Sequence, residues 1–261
     1  MDQQVAIIIR ESVDSTMKLA RREIDAGTRT GPAFYLANEQ TAGVGRQGRV
    51  WHSPPGGLWS TLAWPILPDA QPDKDAVLKG LGLRVGVAVL TVIGDTLTRG
   101  ASGQAPMLKW PNDILINGHK VAGSLCESHA GPTEGPWETP PTWLLIGVGI
   151  NVNNELPDAS KLGEHGRPPI ALRSCVQGPI DVKLLAQNLL GALCHAATTA
   201  GLPPKVLEIA RARLFRGRRL NLIAPGGYTS SGELVGLNDE GMPIVKSGDA
   251  TFEVPPGSEF V

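Results

Sequence analysis

The apolar residues of this chain follow two different patterns, and the change between them constrains the fold more than any other feature. Before about residue 205, short apolar runs alternate with two long amphipathic segments, 78–98 and 182–200, in which apolar residues recur at helical spacing. After about residue 218 only short apolar runs occur, and turn residues such as those at 225–227 separate them. The sequence therefore predicts an α+β domain followed by a small β-barrel of about 45 residues.

Individual elements follow from local patterns. The apolar run at 5–9 indicates a buried strand, and Asn117-Gly118 between two apolar segments indicates a two-residue hairpin. The segments 129–142 and 157–169 are predicted to be irregular. The predicted strands are 5–9, 33–37, 58–64, 107–110, 114–116, 120–126, 143–152, 219–223, 232–237, 243–246 and 251–254, and the predicted helices are 16–26, 78–98, 182–200 and 205–215.

Composition argues against several classes of protein. The 24 basic and 25 acidic residues nearly cancel, so no overall field that attracts nucleic acid is expected. No signal peptide is visible, and no apolar stretch approaches the roughly 18 residues of a membrane helix, so a cytoplasmic location is expected. The three cysteines are widely spaced, which favours free thiols in a reducing compartment over disulfides or zinc. Because Cys126 has no recognisable histidine partner, it is expected to be a buried structural thiol.

The segment 38–51 contains three glycines and two arginines and ends in Trp51. Glycines allow close approach of the backbone to a ligand, arginines match phosphate or carboxylate groups, and a tryptophan offers a flat face to an aromatic base. These properties predict a mobile loop over a nucleotide, and the alternative is a surface turn with solvated arginines. The glycines are Gly43, Gly45 and Gly48, and the arginines are Arg46 and Arg49.

A second polar cluster follows at 109–113, Lys-Trp-Pro-Asn-Asp, and at 118–123, Gly-His-Lys-Val-Ala-Gly. A strand end followed by proline, an amide and a carboxylate forms a rigid polar corner that can hold a metal-phosphate or a ribose. Lys120 would project from a strand start, with space beside it at Gly123. The alternative is an ordinary turn with a solvated edge lysine.

Four motifs, in this order, resemble the biotin protein ligase family. They are Gly-x-Gly-Arg-x-Gly-Arg-x-Trp at 43–51, Lys-Trp-Pro-Asn-Asp at 109–113, Lys-x-Ala-Gly at 120–123 and Gly-Val-Gly-Ile-Asn-Val-Asn at 147–153. Asp14-Ser15-Thr16 before the first helix also matches. The resemblance covers nearly the whole chain, and several ordered motifs are far more specific than one.

The resemblance implies a fold and an organisation. Residues 1–204 would form a mixed sheet flanked by helices, the class II synthetase-like fold of biotin and lipoate ligases, and residues 205–261 an SH3-like β-barrel. The chain starts directly at the catalytic domain, without the winged helix of family members that repress genes. It therefore resembles the ligase-only type, for which DNA is not an expected partner.

The resemblance also implies the reaction. Biotin and MgATP would give biotinyl-5′-AMP and pyrophosphate, and the acyl group would pass to a lysine of a biotin carboxyl carrier protein. Lys120 would lie between the biotin carboxylate and the α-phosphate, Trp51 would stack on adenine, and Asp113 would lie near the magnesium ion. Both steps need charge neutralisation and positioning more than a protein nucleophile.

The implied site residues fall into three groups. Catalysis is assigned to Lys120, Arg46 and Arg49. Biotin binding is assigned to Ser15, Thr16, Gln40, Gly43, Val44, Gly45, Arg46, Lys120, Gly123 and Gly147. ATP binding is assigned to Arg46, Arg49, Trp51, Lys109, Asn112, Asp113 and Asn151, with Gly149 lining the pocket beside them.

The sequence departs from the family pattern mainly at Val44, where an arginine is usual. This departure leads to the hypothesis that loop closure or adenylate retention is weaker, unless packing of Val44 or a neighbouring group compensates. Two rival functions remain: a lipoate or octanoate protein ligase of the same fold, and a non-catalytic biotin-binding module. A monomer and a homodimer are both compatible with the sequence.

Overall fold

The computed structural model describes residues 4–133, 139–157, 168–216, 219–223, 229–254 and 259–260. These residues form a seven-stranded sheet with α-helices on both faces, followed by a five-stranded sheet. Most of the predicted irregular segment 157–169 and the predicted turn at 225–227 lie outside the described residues.

The large sheet is mixed, as the family resemblance implies. Its strand order is β1-β2-β3-β7-β6-β5-β4; β1 and β2 are parallel, and the other neighbours are antiparallel. The strands are β1 Ala6–Val13, β2 Ala33–Gln40, β3 Leu58–Ile66, β4 Met107–Lys109, β5 Asp113–Ile116, β6 His119–Ala130 and β7 Thr142–Ile150.

The first strand is not buried, so the prediction of a buried strand at 5–9 is wrong. Ile7 is 52% exposed and Ile9 is 64% exposed. A continuous apolar run is typical of a strand covered on both faces. Here β1 forms the sheet edge and pairs only with β2, so its outer side is left uncovered.

Helices cover the two faces of the large sheet unequally. On one face, α3 and α4 pack against the sheet and form the main core. On the other face, α1 forms a smaller core with Tyr35 and Trp143. The helices are α1 Thr16–Asp25, α2 Lys74–Leu78, α3 Leu81–Arg99, α4 Val182–Thr198 and α5 Pro204–Ala212.

The predicted helix at 78–98 is confirmed as α3, which begins at Leu81, and the short α2 before it, Lys74–Leu78, was not predicted. Gly80 adopts φ +73°, which separates the two right-handed helices. The buried Arg84 then joins the two helices, since its guanidinium donates to the carbonyls of Val77 and Lys79 and to that of Ala196 in α4. Backbone carbonyls thus replace a carboxylate partner, and burial lowers the pKa of Arg84.

Helix α3 has the length and apolar composition needed to cross a membrane. The expectation that no segment approaches this limit is therefore wrong. In this structure most of α3 is buried, and Val85, Val89 and Ile93 belong to the main core. This environment is that of a core helix in a globular domain.

The C-terminal sheet is antiparallel, with the order β11-β10-β9-β8-β12. Its small core includes Leu222, Val245 and Val254. The predicted strands are present, and the short β12 was not predicted. Closure into an SH3-like barrel and the division at residue 204 stay predictions. The strands are β8 Arg219–Ile223, β9 Thr229–Leu237, β10 Pro243–Ser247, β11 Ala250–Glu253 and β12 Glu259–Phe260.

Candidate active site

Residues 43–51, called the glycine–arginine loop below, form a closed loop between β2 and β3. The Trp51 amide donates to the Gly43 carbonyl (2.9 Å), and the Gly45 amide donates to the Arg49 carbonyl (2.7 Å). A Cβ at Gly43 would lie 2.5 Å from the Trp51 carbonyl oxygen, so only glycine fits there. At the loop tip, Gly48 has φ +71°. The glycines therefore determine how tightly this loop closes.

The Trp51 side chain lies against the large sheet, on the face that α1 partly covers. A Cβ at Gly149 would lie 2.4 Å from Trp51 Nε1, and one at Gly123 would lie 3.2 Å from Cζ3. Gly123 and Gly149 are partners in the β6–β7 ladder, so together they leave a shallow floor that the indole fills. The indole Nε1 is buried and has no hydrogen-bond partner among the described residues.

Charged side chains meet at the end of the β5–β6 hairpin. Asn117 and Gly118 have φ +50° and +80°, as the predicted two-residue hairpin requires. This turn brings Lys120 Nζ to 2.7 Å from Oδ1 of Asp113, while Lys109 Nζ lies 3.7 Å from Oδ2. Lys120 Nζ also lies 4.8 Å from the centroid of the Trp51 ring, a cation–π distance.

An amide connects these charges to the glycine–arginine loop. Asn112 Nδ2 donates to the Ser124 carbonyl (2.7 Å), which fixes its orientation, and its Oδ1 accepts from the Arg46 guanidinium (3.1 Å). Arg49 instead is exposed and donates to the side chain of Gln47 (2.9 Å). The set Lys109, Asn112, Asp113 and Lys120 is called the charged corner below.

Neutral polar side chains meet at the start of α1. Oε1 of Gln40 accepts from the Thr16 amide (2.9 Å) and hydroxyl (3.1 Å), and the hydroxyls of Thr16 and Thr61 are 2.8 Å apart. Nε2 of Gln40 donates to Ser53 (2.8 Å), which donates to the Trp51 carbonyl. The set Thr16, Gln40, Ser53 and Thr61 is called the neutral cluster below.

Sequence reasoning missed two members of the neutral cluster. Thr61 is polar and fully buried in β3, beside the buried Ser60, and this polar pair within an apolar run was the available signal. Ser53 gave no signal of its own. Ser15, which was predicted to act with Thr16, is the buried residue before α1, and its side chain makes no capping hydrogen bond.

The predicted pocket residues of β7 and its end differ in their surroundings. A Cβ at Gly147 would lie 3.0 Å from Met17 Sδ, so this glycine makes room for the first turn of α1. Asn151 is buried, and its Oδ1 accepts from Nδ2 of Asn154 (3.1 Å).

Val44, at the position where an arginine was expected, is 37% exposed and pairs with Val50 across the loop.

The described residues include no group of three His, Cys, Asp or Glu side chains suited to hold a metal ion. Burial raises the pKa of Cys126 to about 12, so at neutral pH this thiol is protonated and unreactive. Beside the Asp113 carboxylate, the site contains the ammonium, guanidinium and indole groups of Lys120, Arg46 and Trp51. Such groups stabilise anions and aromatic rings.

Comparison with known proteins identifies the family. Residues 9–151 match the Biotin/lipoate A/B protein ligase family. The chain is also 32% identical over 257 residues to the bifunctional ligase/repressor BirA of Bacillus subtilis, an alignment covering 95% of this chain and 71% of that protein. The chain belongs to the biotin/lipoate A/B protein ligase family.

Other relatives of this family extend the comparison. The chain is 31% identical over 242 residues to the biotin–[acetyl-CoA-carboxylase] ligase of Paracoccus denitrificans, covering 88% of this chain and 90% of that ligase. The fold is similar to that of the Aquifex aeolicus biotin protein ligase in complex with biotin and ATP, with a TM-score of 0.73 and 22% identity. That likeness covers 98% of this chain and 99% of the other.

Proposed function

We propose that this chain is an ATP-dependent ligase that activates biotin as biotinyl-5′-AMP and transfers it to a lysine of a biotin carboxyl carrier protein. The observation that carries the proposal is the meeting of Lys120, Asp113 and Trp51 above Gly123 and Gly149. A cation, its counter-ion and an indole over a floor without side chains form a site for an anionic group joined to a flat ring. The similarity to biotin ligases over most of this chain supports the same reaction.

The proposed reaction has two displacements. A carboxylate oxygen of biotin attacks the α-phosphorus of ATP, and the bond from that phosphorus to the bridging oxygen breaks to release pyrophosphate. The amine of the carrier lysine then attacks the acyl carbon, a C–N bond forms, AMP leaves and the amine loses a proton. Lys120 and Arg46 supply positive charge to the phosphate and acyl oxygens, and Arg49 joins them when the loop closes on the nucleotide.

The two clusters divide the substrates between them. The neutral cluster, with Ser15 and Gly147, binds biotin, whose ring system needs neutral hydrogen-bond partners. The charged corner, with Arg46, Arg49, Trp51 and Asn151, binds ATP, and Lys120 and Gly123 also border biotin, with Lys120 beside its carboxylate. Magnesium enters as the MgATP substrate and is held mainly by the phosphates, because both oxygens of Asp113 already face lysines. Asp113 therefore acts on magnesium only indirectly.

The remaining parts of the proposal concern organisation. The five C-terminal strands close into an SH3-like barrel over 205–261, and residues 1–204 form the catalytic domain. The protein acts in the cytoplasm as a monomer or homodimer. Its partners are biotin, MgATP and the carrier domain, and neither DNA nor a membrane is a proposed partner.

Biotin-dependent exchange of pyrophosphate into ATP tests the proposal. We expect exchange with biotin but not with lipoate or octanoate, and at least a hundredfold loss in Lys120→Ala, because its charge acts where the phosphate charge develops. Lys18→Ala, on the exposed side of α1, is the matched control and should retain full exchange. Exchange with lipoate alone would favour the lipoate ligase, and biotin binding without transfer to a carrier would favour the non-catalytic module.

Val44 gives the proposal a second test. The residue is partly exposed and adds no charge to the loop, so we expect the adenylate to leave faster than from a loop with a third arginine. Val44→Arg should slow the release of biotinyl-5′-AMP, measured by rapid filtration. An unchanged release rate would reject this hypothesis and leave the loop packing as sufficient.

A further inference from the structure

The C-terminal sheet reaches the charged corner through a single turn. The indole Nε1 of Trp110 donates to the carbonyl of Gly241 (2.9 Å), which lies in the β9–β10 turn. Trp110 stands between Lys109 and Pro111, so it belongs to the same five-residue segment as Asn112 and Asp113. This hydrogen bond therefore joins the second sheet to the segment that presents the proposed nucleotide-binding residues.

The turn that supplies this carbonyl is fixed in place. The Gly241 amide donates to the Asn238 carbonyl (3.0 Å), and Gly241 has φ +79°, which favours glycine. A Cβ on Gly241 would lie 2.7 Å from Cδ2 of Leu83 and 2.8 Å from Cδ2 of Leu202. The turn thus packs directly against the start of α3 and the segment before α5.

Two nearby contacts fix the other side of the same segment. The Leu108 amide donates to the Arg213 carbonyl (2.7 Å), and the Phe215 amide donates to the Leu108 carbonyl (2.8 Å). A Cβ at Gly86 would lie 2.9 Å from the Pro111 carbonyl oxygen, so the absence of a side chain at Gly86 allows α3 to approach Pro111 closely. The backbone before and after Trp110 is therefore held, and the indole is its link to the C-terminal sheet.

We propose that the Gly241 carbonyl is a positioning group for MgATP binding, acting through Trp110 on the Lys109–Asp113 segment. The inference rests on the proposed function, because it takes the charged corner as the nucleotide site. The neutral cluster lies at the start of α1 and shares no residue with this contact. The contact therefore affects the affinity for MgATP and leaves the affinity for biotin unchanged.

Trp110→Phe tests the proposal because it removes the N–H and keeps an aromatic ring. We expect the Kd for MgATP, measured by calorimetry without turnover, to rise about fivefold, since one hydrogen bond is lost. The KM for ATP in the exchange assay should rise by the same factor, with the KM for biotin unchanged. Trp64→Phe makes the same chemical change at a half-buried position on β3 and should leave both values unaltered.

Gly241→Ala disturbs the contact from its other side and should give the same selective loss. Because both substitutions break one contact, the double variant should lose little more than either single variant. An unchanged Kd for MgATP in Trp110→Phe, or an equal loss of biotin and MgATP affinity, would overturn the inference. If wild type and Trp64→Phe both failed to bind MgATP, the proposed function itself would fail, and the inference with it.

Discussion

The neutral cluster and the charged corner are built by different physical means. The neutral cluster is set into the sheet and α1, where Thr16 and Thr61 are at most 3% exposed. Their hydroxyls bond each other, and that of Thr16 also donates to Gln40. The charged corner lies on a hairpin, where the side chains of Asp113 and Lys120 are 15% and 27% exposed. One half of the site is buried and saturated with short hydrogen bonds, and the other is accessible and held by ion pairs.

This difference suits the proposed substrates. Buried neutral hydrogen bonds are directional, and they hold a fixed arrangement that a neutral ring system can join. The ion pair remains partly open to solvent, so Lys120 can exchange its carboxylate partner for a phosphate group of a substrate. We therefore expect substitutions in the corner to change catalysis, and substitutions in the neutral cluster to change biotin affinity and stability.

Among the substitutions that test this division of the site, the largest effect should follow from Asp113→Asn. The substitution removes the carboxylate charge that lies 2.7 Å from Lys120 Nζ and 3.7 Å from Lys109 Nζ. We expect kcat for pyrophosphate exchange to fall about a hundredfold, because a displaced catalytic group loses its alignment. The KM for biotin should change less than twofold.

The control for this substitution is Asp95→Asn, which removes an exposed carboxylate from α3 and should have no effect on exchange. If Asp113→Asn raised the KM for biotin as much as it lowered kcat, the corner and the neutral cluster would not be separate functional units.

Substitutions at two glycines of β7 test more directly whether the neutral cluster and the charged corner act separately. In Gly149→Ala the new Cβ would displace the Trp51 indole, so we expect the KM for ATP to rise about twentyfold. In Gly147→Ala the new Cβ would press on Met17 at the start of α1, so the KM for biotin should rise instead, and by less because a thioether adapts. Steady-state kinetics with biotin and ATP varied in turn would show which KM each substitution raises.

The reverse pattern, or equal effects of both glycine substitutions on both substrates, would contradict the division of the site. Trp51 fluorescence offers an independent readout, because only Gly149→Ala should expose the indole to solvent.

Most of the fold could be predicted, because the spacing of apolar residues and the positions of turn residues are local signals. The hairpin at Asn117-Gly118 and the helix at 16–26 follow from such signals and are confirmed. The exposure of β1 could not be predicted, since it depends on which strands flank it in the sheet. Nor could the short helix α2, Lys74–Leu78, because five residues carry too little apolar periodicity to indicate a helix.

The sequence indicated which residues belong to the candidate site but not which of them contact each other. The motifs named Lys120 and Asp113, but their ion pair depends on the register of β5 and β6, which a bulge shifts. Thr61 was missed because threonine is also common in β-strands that contain no functional residue. The contact between Trp110 and Gly241 joins residues 131 positions apart, and nothing local in the sequence indicates it.

A smaller effect is expected for Thr61→Val, which keeps the shape and removes one hydroxyl from the neutral cluster. The loss of a buried hydrogen bond should lower the free energy of unfolding by about 1 kcal/mol. The KM for biotin should rise about fivefold, and the KM for ATP should stay unchanged. Thr91→Val, whose hydroxyl bonds its own helix backbone, is the matched control. A rise in the KM for ATP alone would contradict the assignment of Thr61 to the biotin half of the site.

The smallest effect is expected from the charge nearest the neutral cluster. Asp14 precedes Ser15, and its hydrogen bonds from Arg22 lower its pKa from 3.8 to about 2. A depressed pKa stabilises the folded state above pH 4, and this contribution is lost as the pH falls from 4 to 2. Because the pair is exposed, its contribution should be less than about 1 kcal/mol. Urea unfolding at pH 7 and pH 3 should therefore differ less in Asp14→Asn than in the wild type, with the KM for biotin unchanged. A large rise in that KM would mean that charge, and not only neutral hydrogen bonding, holds the biotin half of the site.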